Sequence, residues 1–278
     1  MIQLYSGRIP RLENNWIILT QLAILIIMTL STRVSIQWPP DIAGDATKTM
    51  VFTTPENHFV DIRIFKQYYQ NPDLANNLSF DKVFEMCLSG IEEAISGTNK
   101  IQFHQEINSI AIYNSIKSNT PLKFGLPDIG EFSSIANTQD RKEVGKMVNP
   151  ATGQLQDYIE IWRSLDPVNN SPYKEIREDK TKNYPIFTLI IDNDHYQGKL
   201  ICLGNWIQGL VFNKSYDNKN QPLHVIQCYQ QEKNHWINLV NYGSCNLFPI
   251  TFSGSVNDTI ESDNLVWTCI ESTLNHAS

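Results

Sequence analysis

The chain is expected to be all-β, built as two antiparallel barrel-like domains in tandem, and three observations predict it. Beyond residue 30, apolar and polar residues alternate with a period of two, the spacing of strands that bury one face. Long helical periodicity is absent. Segments of the first half also recur, weakly, in the second. The 278 residues exceed the ~100–200 of a typical single domain, and 6 Trp, 11 Tyr and 12 Phe supply enough bulk for conventional cores.

Residues 1–30 form an N-terminal extension whose apolar stretch, Trp16 to Leu30, follows Arg8 and Arg11. A basic segment before an apolar one is the pattern of a signal peptide. The run is short for a membrane span, which needs about 20 apolar residues, and Ser31 begins a strand pattern at once. Three readings stand: a translation start at Met28, a signal peptide or anchor, and a packed helix.

Thr32, Val34, Ile36 and Trp38 then alternate with Arg33, Ser35 and Gln37. Val60, Ile62 and Ile64 alternate with Asp61 and Arg63, and Ile101 and Phe103 with Gln102 and His104. Each run suits a half-exposed antiparallel strand with its apolar set turned to the core. Lys66 to Met86, which contains Pro72, reads as an insertion with a short helix. In the second half, Ile186–Ile191, Lys199–Phe212, Leu223–Gln231, Trp236–Tyr242 and Leu265–Ile270 are rich in β-branched and aromatic residues. Turn formers such as Asp192-Asn193-Asp194 and Asp217-Asn218 separate them. Many short strands hide their edges best by closing into barrels.

The repeat sets the domain boundary. Trp38 in SIQWPPD matches Trp162 in IEIWRSLDP, Phe59-Val60-Asp61-Ile62 matches Phe187-Thr188-Leu189-Ile190, and Gln105-Glu106 matches Gln231-Glu232, each about 125 residues apart. Turn signals at Asn149-Pro150 and Thr152-Gly153 place a hinge at Gly145–Gly153. The expected domains are therefore a first barrel at 31–153 and a second at 154–278.

A formal net charge of -7 opposes binding to nucleic acid, whose affinity rests on cations that neutralise phosphates. The charge run Lys174 to Lys182 mixes both signs and reads as a solvated loop. Cys87, Cys202, Cys228, Cys245 and Cys269 are widely spaced, an odd number without a Cys-x-x-Cys pair, as expected of free thiols in a reducing compartment. Sequons at Asn77, Asn169, Asn213 and Asn257 carry little weight in a chain rich in Asn, Ser and Thr.

Two segments are distinctive: YIEIWRSLDP, Tyr158 to Pro167, and GKLICLGNWIQGL, Gly198 to Leu210, within which Gly204, Trp206, Ile207, Gln208 and Gly209 are the most diagnostic. With STRVSIQW, FVDIR (Phe59 to Arg63) and GKMVNPATG (Gly145 to Gly153), they make residues 31–278 similar to the fungal Hri-type two-barrel proteins, first noted as interactors of a casein kinase I. The resemblance implies two lipocalin-like β-barrels, a cytoplasmic location extending to the nucleus, a protein partner such as a casein kinase I, and no established enzymatic activity. A genuine signal or anchor in residues 1–30 would instead imply the secretory pathway and a membrane. Asn108 stands where the family's pattern has Asp, so no carboxylate role carries over there.

The chain lacks a Gly-x-Ser-x-Gly elbow, a phosphate loop, a dinucleotide fingerprint and a His-Glu-x-x-His helix. Asp192, Asp194 and Gly198 have the wrong spacing for a calcium loop and read as a hairpin turn. His58, His104, His195, His224, His235 and His276 are scattered, without the pairing that puts two ligands on one face. No catalytic, cofactor-binding or metal residues are expected, and no cofactor. Gly204-Asn205-Trp206 matches the Gly-x-Trp of small ligand-binding barrels, where the Trp plugs one end. The candidate ligand or barrel-plug positions are Trp38, Trp162, Trp206 and Gln208. The expected function is a non-enzymatic protein-interaction module acting through exposed loops such as Asp166–Lys182. The alternative is a carrier of a small apolar ligand inside one barrel. A barrel of ~8 strands either fills with side chains or encloses one small ligand, so the interior decides.

Overall fold

A computed structural model describes residues 29–71, 75–181, 183–216, 221–232 and 235–274. The expectations for the apolar segment before Thr29, for Pro72, for Asp217-Asn218 and for His276 lie outside the described residues. Among these residues no helix is long and apolar enough to cross a membrane.

Eight antiparallel strands close the first barrel in chain order: β1 (Thr29–Gln37), β2 (Thr47–Thr53), β3 (His58–Phe65), β4 (Phe84–Ala94), β5 (Lys100–Asn108), β6 (Asp128–Ser134), β7 (Arg141–Val148) and β8 (Leu155–Leu165). The last strand closes the ring by pairing with β7 on one side and with β1 on the other, from Leu30↔Leu165 to Gln37↔Ile159. This corrects the boundary expected at Gly153, since residues 155–165 supply the first barrel's eighth strand and not the second domain's opening one.

Seven more strands follow: β9 (Ile186–Asp192), β10 (Tyr196–Leu203), β11 (Trp206–Asn213), β12 (Leu223–Glu232), β13 (His235–Tyr242), β14 (Thr259–Ser262) and β15 (Leu265–Ser272). They form one sheet in the order β13-β12-β11-β10-β9-β15-β14, a half-barrel where a second closed barrel was expected. The long run Lys199–Phe212 is a hairpin. Its turn needs Gly204, whose φ is +58° and where a Cβ would come within 2.7 Å of the Pro167 carbonyl oxygen.

The repeat does not survive the topology. Trp38 follows the first strand and Trp162 sits in the eighth strand of the same barrel, while Phe59 lies in that barrel's third strand and Phe187 in the half-barrel's first. Strands with a shared apolar period resemble one another without sharing ancestry. A short helix, α1 (Phe80–Val83), falls inside the expected insertion. A second, α2 (Ser109–Ser118), was not expected. Asn108 starts it as N-cap, its side-chain oxygen accepting from the Ala111 N–H at 3.0 Å, and Asn119 ends it in the left-handed region.

The main core lies between the two sheets. Met50, Phe52, Val60, Ile62 and Ile64, on the outer face of β2 and β3, pack against Ile201, Leu203, Trp206, Leu210 and Phe212 of the half-barrel. The other face of the half-barrel is filled by its own side chains and the loop residues Leu247 and Phe248 over Trp267. Both faces of β3 are thus buried, a departure from the half-exposed strand expected. Val60, Ile62 and Ile64 point out of the barrel into the inter-sheet core, which leaves Phe59, Asp61 and Arg63 to point into the lumen, where the two charged residues are 4% and 6% exposed. Polar bridges fix the two sheets: Gln208 Nε2 donates to the Met50 and Val60 carbonyls at 2.9 and 2.8 Å. Lys199 Nζ donates to the Gly90 carbonyl at 2.6 Å and pairs with Glu106 at 2.8 Å.

Candidate functional site: the lumen and mouth of the first barrel

The alternation that sends apolar residues outward from β3 sends charge inward from several strands. Arg33 of β1 and Arg63 of β3 both donate to Glu160 Oε1 of β8, at 2.7 and 3.1 Å, and Arg63 Nε donates to Asp61 Oδ2 at 2.9 Å. Arg33 also reaches Glu85 at 3.0 Å and Asp45 at 3.1 Å. These guanidiniums are satisfied by geometry that a buried charge requires.

Glu143 of β7 is held from β8, accepting from Tyr158 Oη at 2.6 Å and from Trp162 Nε1 at 2.8 Å. Two glycines make the room. A Cβ on Gly130 would collide with the Glu143 carboxyl, and one on Gly145 would come 2.8 Å from Tyr158 Oη. Burial, followed by repulsion from Glu160, raises Glu143 to about 8, although its two donors favour the charged form. Burial likewise raises Glu92 to about 7 against its bond from Thr53, and it raises Asp61 and Asp128.

A second wall, made mainly by β4–β6, is apolar and aromatic: Leu88, Ile101, Phe103 and Phe132, with Phe59 of β3 beside them. Arg141 bridges the two walls, donating to Ser31 Oγ at 3.1 Å with its guanidinium 5.7 Å from the Phe132 ring centroid. Two polar atoms in the lumen have no partner, Asp61 Oδ1 and Arg141 Nε. The space they line is a cavity of about 80 Å³.

Met86, Gln105, Asp128, Met147 and Tyr158 line both this cavity and a groove of about 1430 Å³ at the barrel mouth. The groove runs between α2, the 119–127 loop and the β7–β8 strands. Its rim exposes large apolar side chains: Leu126 is 92% exposed, Leu155 68%, Val148 49% and Ile129 42%. Asn108 braces the mouth, donating to Gln105 at 2.6 Å, and Gln105 in turn donates to Asp128 at 2.7 Å.

The sequence-derived positions divide between two places. Trp162 lines the lumen, and Trp38 lies half-buried against Tyr158, with ring centroids 6.2 Å apart. Trp206 and Gln208 are not in a barrel interior: both are buried between the sheets, Trp206 tilted on Tyr229 at 5.0 Å. The plug expected of Trp206 becomes an inter-sheet anchor because its strand packs on the outside of the first barrel. His104 pairs with Glu93 at 2.7 Å on an exposed face. Among the described residues no group of three or more His, Cys, Asp or Glu is placed to hold a metal ion. In the Asp166–Lys182 loop, Asp166 and Asn170 are buried and cap their own backbone. Asp166 Oδ1 accepts from the Val168 and Asn169 N–H groups at 2.9 and 2.8 Å, and the Pro167 carbonyl accepts from the Asn205 N–H at 3.0 Å.

Sequence reasoning missed Arg33, Asp61, Arg63, Arg141, Glu143 and Glu160. For Asp61, Arg63 and Glu160 the sequence shows only charge alternating with bulky apolar residues, as in Val60-Asp61-Ile62-Arg63-Ile64 and Ile159-Glu160-Ile161-Trp162, which a half-exposed strand shows equally, and Arg33, Arg141 and Glu143 lack even that pattern.

The family model described as Protein HRI1 matches residues 29–271. Protein HRI1 of Kluyveromyces lactis is 26% identical over 257 residues, covering 89% of this chain and 100% of that protein. Protein HRI1 of Saccharomyces cerevisiae is 22% identical over 244 residues, covering 82% of this chain and 92% of the relative. The crystal structure of an uncharacterized Saccharomyces cerevisiae protein shares the fold, with a TM-score of 0.69 at 21% identity over 88% of this chain and 98% of that one. With a family model spanning both sheets, the chain belongs to the Protein HRI1 family.

Proposed function

We propose that the protein is a non-enzymatic protein-interaction module whose recognition end is the mouth of the first barrel, and that it takes an extended peptide segment of a partner with apolar side chains. The observation that carries this reading is the rim of large apolar residues, Leu126, Leu155, Val148 and Ile129, left exposed around a groove of about 1430 Å³. Contiguous apolar patches of that kind mark interaction sites on soluble proteins. The groove also exceeds the ~300–1,000 Å³ of small-molecule sites. Family resemblance supports a casein kinase I as the partner, acting in the cytoplasm and nucleus. The surplus of acidic residues speaks against nucleic acid.

The carrier of an apolar ligand has less support, because buried charges such as Asp61, Arg63, Arg141 and Glu143 share the small first lumen with its apolar wall and the half-barrel is filled by its own side chains. The test is a pull-down and calorimetric titration of a purified casein kinase I with the wild-type chain and with Leu126→Asp/Leu155→Asp. The expected outcome is binding that falls at least about tenfold in the variant, a loss of 1.4 kcal/mol or more, with an unchanged thermal melt. Equal binding by the two proteins would remove the groove from consideration.

A further inference from the structure

We propose that the lumen of the first barrel binds a small zwitterion, its carboxylate on Arg141 and its ammonium group on Asp61. Asp61 is 4% exposed and faces the lumen with Oδ1 unpartnered, while Oδ2 is taken by Arg63. Arg141 has Nε unpartnered, and its hydrogen bond goes to the Ser31 hydroxyl, with the Glu92 and Glu143 carboxylates nearby but not bonded to it. One orphaned acceptor and one orphaned donor therefore face the same cavity of about 80 Å³. Orphaned buried polar atoms are costly, so a guest that supplies both missing partners would be favoured there.

Register bounds the distance between the Arg141 anchor at Ser31 and Asp61. Ser31 pairs with Val51 and Val51 with Asp61, so Ser31, which accepts from Arg141 Nη2, and Asp61 lie two strands apart in one row. Strands ~4.8 Å apart put those two backbones about 10 Å from each other. An α-amino acid separates its ammonium and carboxylate by about 3 Å, and two hydrogen bonds of ~2.9 Å extend the reach to about 9 Å. Val51, between them, is short enough to leave the gap open. The volume, about that of two to three waters at ~30 Å³ each, suits a molecule of about glycine's size. Phe59 and Phe103 line the same cavity and supply aromatic surface to it. Any larger substituent would leave through Met86, Gln105, Asp128, Met147 and Tyr158 into the groove. Water alone would satisfy both atoms equally well but would not distinguish ligands by charge. This assignment does not rest on peptide docking at the rim.

The experiment is calorimetric titration of the full chain with glycine, methylamine and acetate. Glycine is expected to saturate a single site, with methylamine and acetate each at least about tenfold weaker. Asp61→Asn and Arg141→Gln are each expected to weaken glycine about tenfold or more. Val51→Phe, which fills the lumen and leaves both charges in place, should abolish it. A one-charge probe that binds as tightly as glycine, an absence of saturable glycine binding, or glycine binding retained by Val51→Phe would each overturn the proposal. The wild-type panel decides the matter even where a variant fails to fold.

Discussion

Replacing Gln208 with Leu removes the polar bridge between the two sheets while nearly keeping the side-chain volume. Gln208 is fully buried; its Nε2 donates to the Met50 and Val60 carbonyls, and its Oε1 accepts from Gln227 Nε2 at 2.5 Å. The two bonds to neutral carbonyls contribute about 1 kcal/mol each, and the stranded Gln227 donor costs about 1–3 kcal/mol. Added apolar burial offsets about 1 kcal/mol. The expected loss is about 2–4 kcal/mol, read as a lower urea midpoint at an unchanged m-value. Gln227 sharpens the test because its own Oε1 already lacks a partner. Gln227→Leu alone should cost less than Gln208→Leu. Added to Gln208→Leu, it should restore about 1–3 kcal/mol by removing both stranded atoms together. A Gln208→Leu loss below about 0.5 kcal/mol, or a double variant weaker than Gln208→Leu, would refute the view that this bridge is a stabilising network.

Trp206→Ala should cost about 3–5 kcal/mol and melt both sheets in one transition, because the ring is 1% exposed in the core they share; two separated calorimetric transitions would count against a shared core. Gly204→Ala should cost about 2 kcal/mol, from the left-handed backbone and the contact with the Pro167 carbonyl, and a neutral melt would show that the turn relaxes freely. Glu143 has a folded value raised from 4.5 to about 8, so the folded state binds the extra proton and stability falls as pH rises between them. His58 and His224, lowered from 6.5 to about 4 by burial, act in the opposite direction, losing stability as pH falls below 6.5. Between pH 6.5 and 8, wild type should therefore lose stability relative to Glu143→Gln, by up to about 1.4 kcal/mol per pH unit. Parallel stability curves for the two proteins would show that Glu143 is ionised throughout.

The sequence by itself determined the all-β class, the family and most strand positions, because the period of two and the β-branched and aromatic runs are local properties that any strand environment preserves. It also marked Trp162, which is buried in the first barrel's lumen, and Gln208, which is buried between the two sheets. Only the tertiary structure decided which face of each strand is the interior. Val60, Ile62 and Ile64 alternate with Asp61 and Arg63 whether the apolar set faces the lumen or a second sheet, and the half-barrel's packing on the outside of β3 selects the second arrangement. Helix α2 was hidden because its ten residues bury only Ser109 and Ile112, too few to impose an apolar stripe. The domain boundary was misread because turn residues at 149–153 look alike whether they join two strands of one barrel or two domains. The lumen joins Arg33, Arg63 and Glu160 from β1, β3 and β8, and Asp61 and Arg141 from β3 and β7, residues far apart in the chain. Ring closure brings them together, and closure depends on non-local pairing that no local pattern in the sequence encodes.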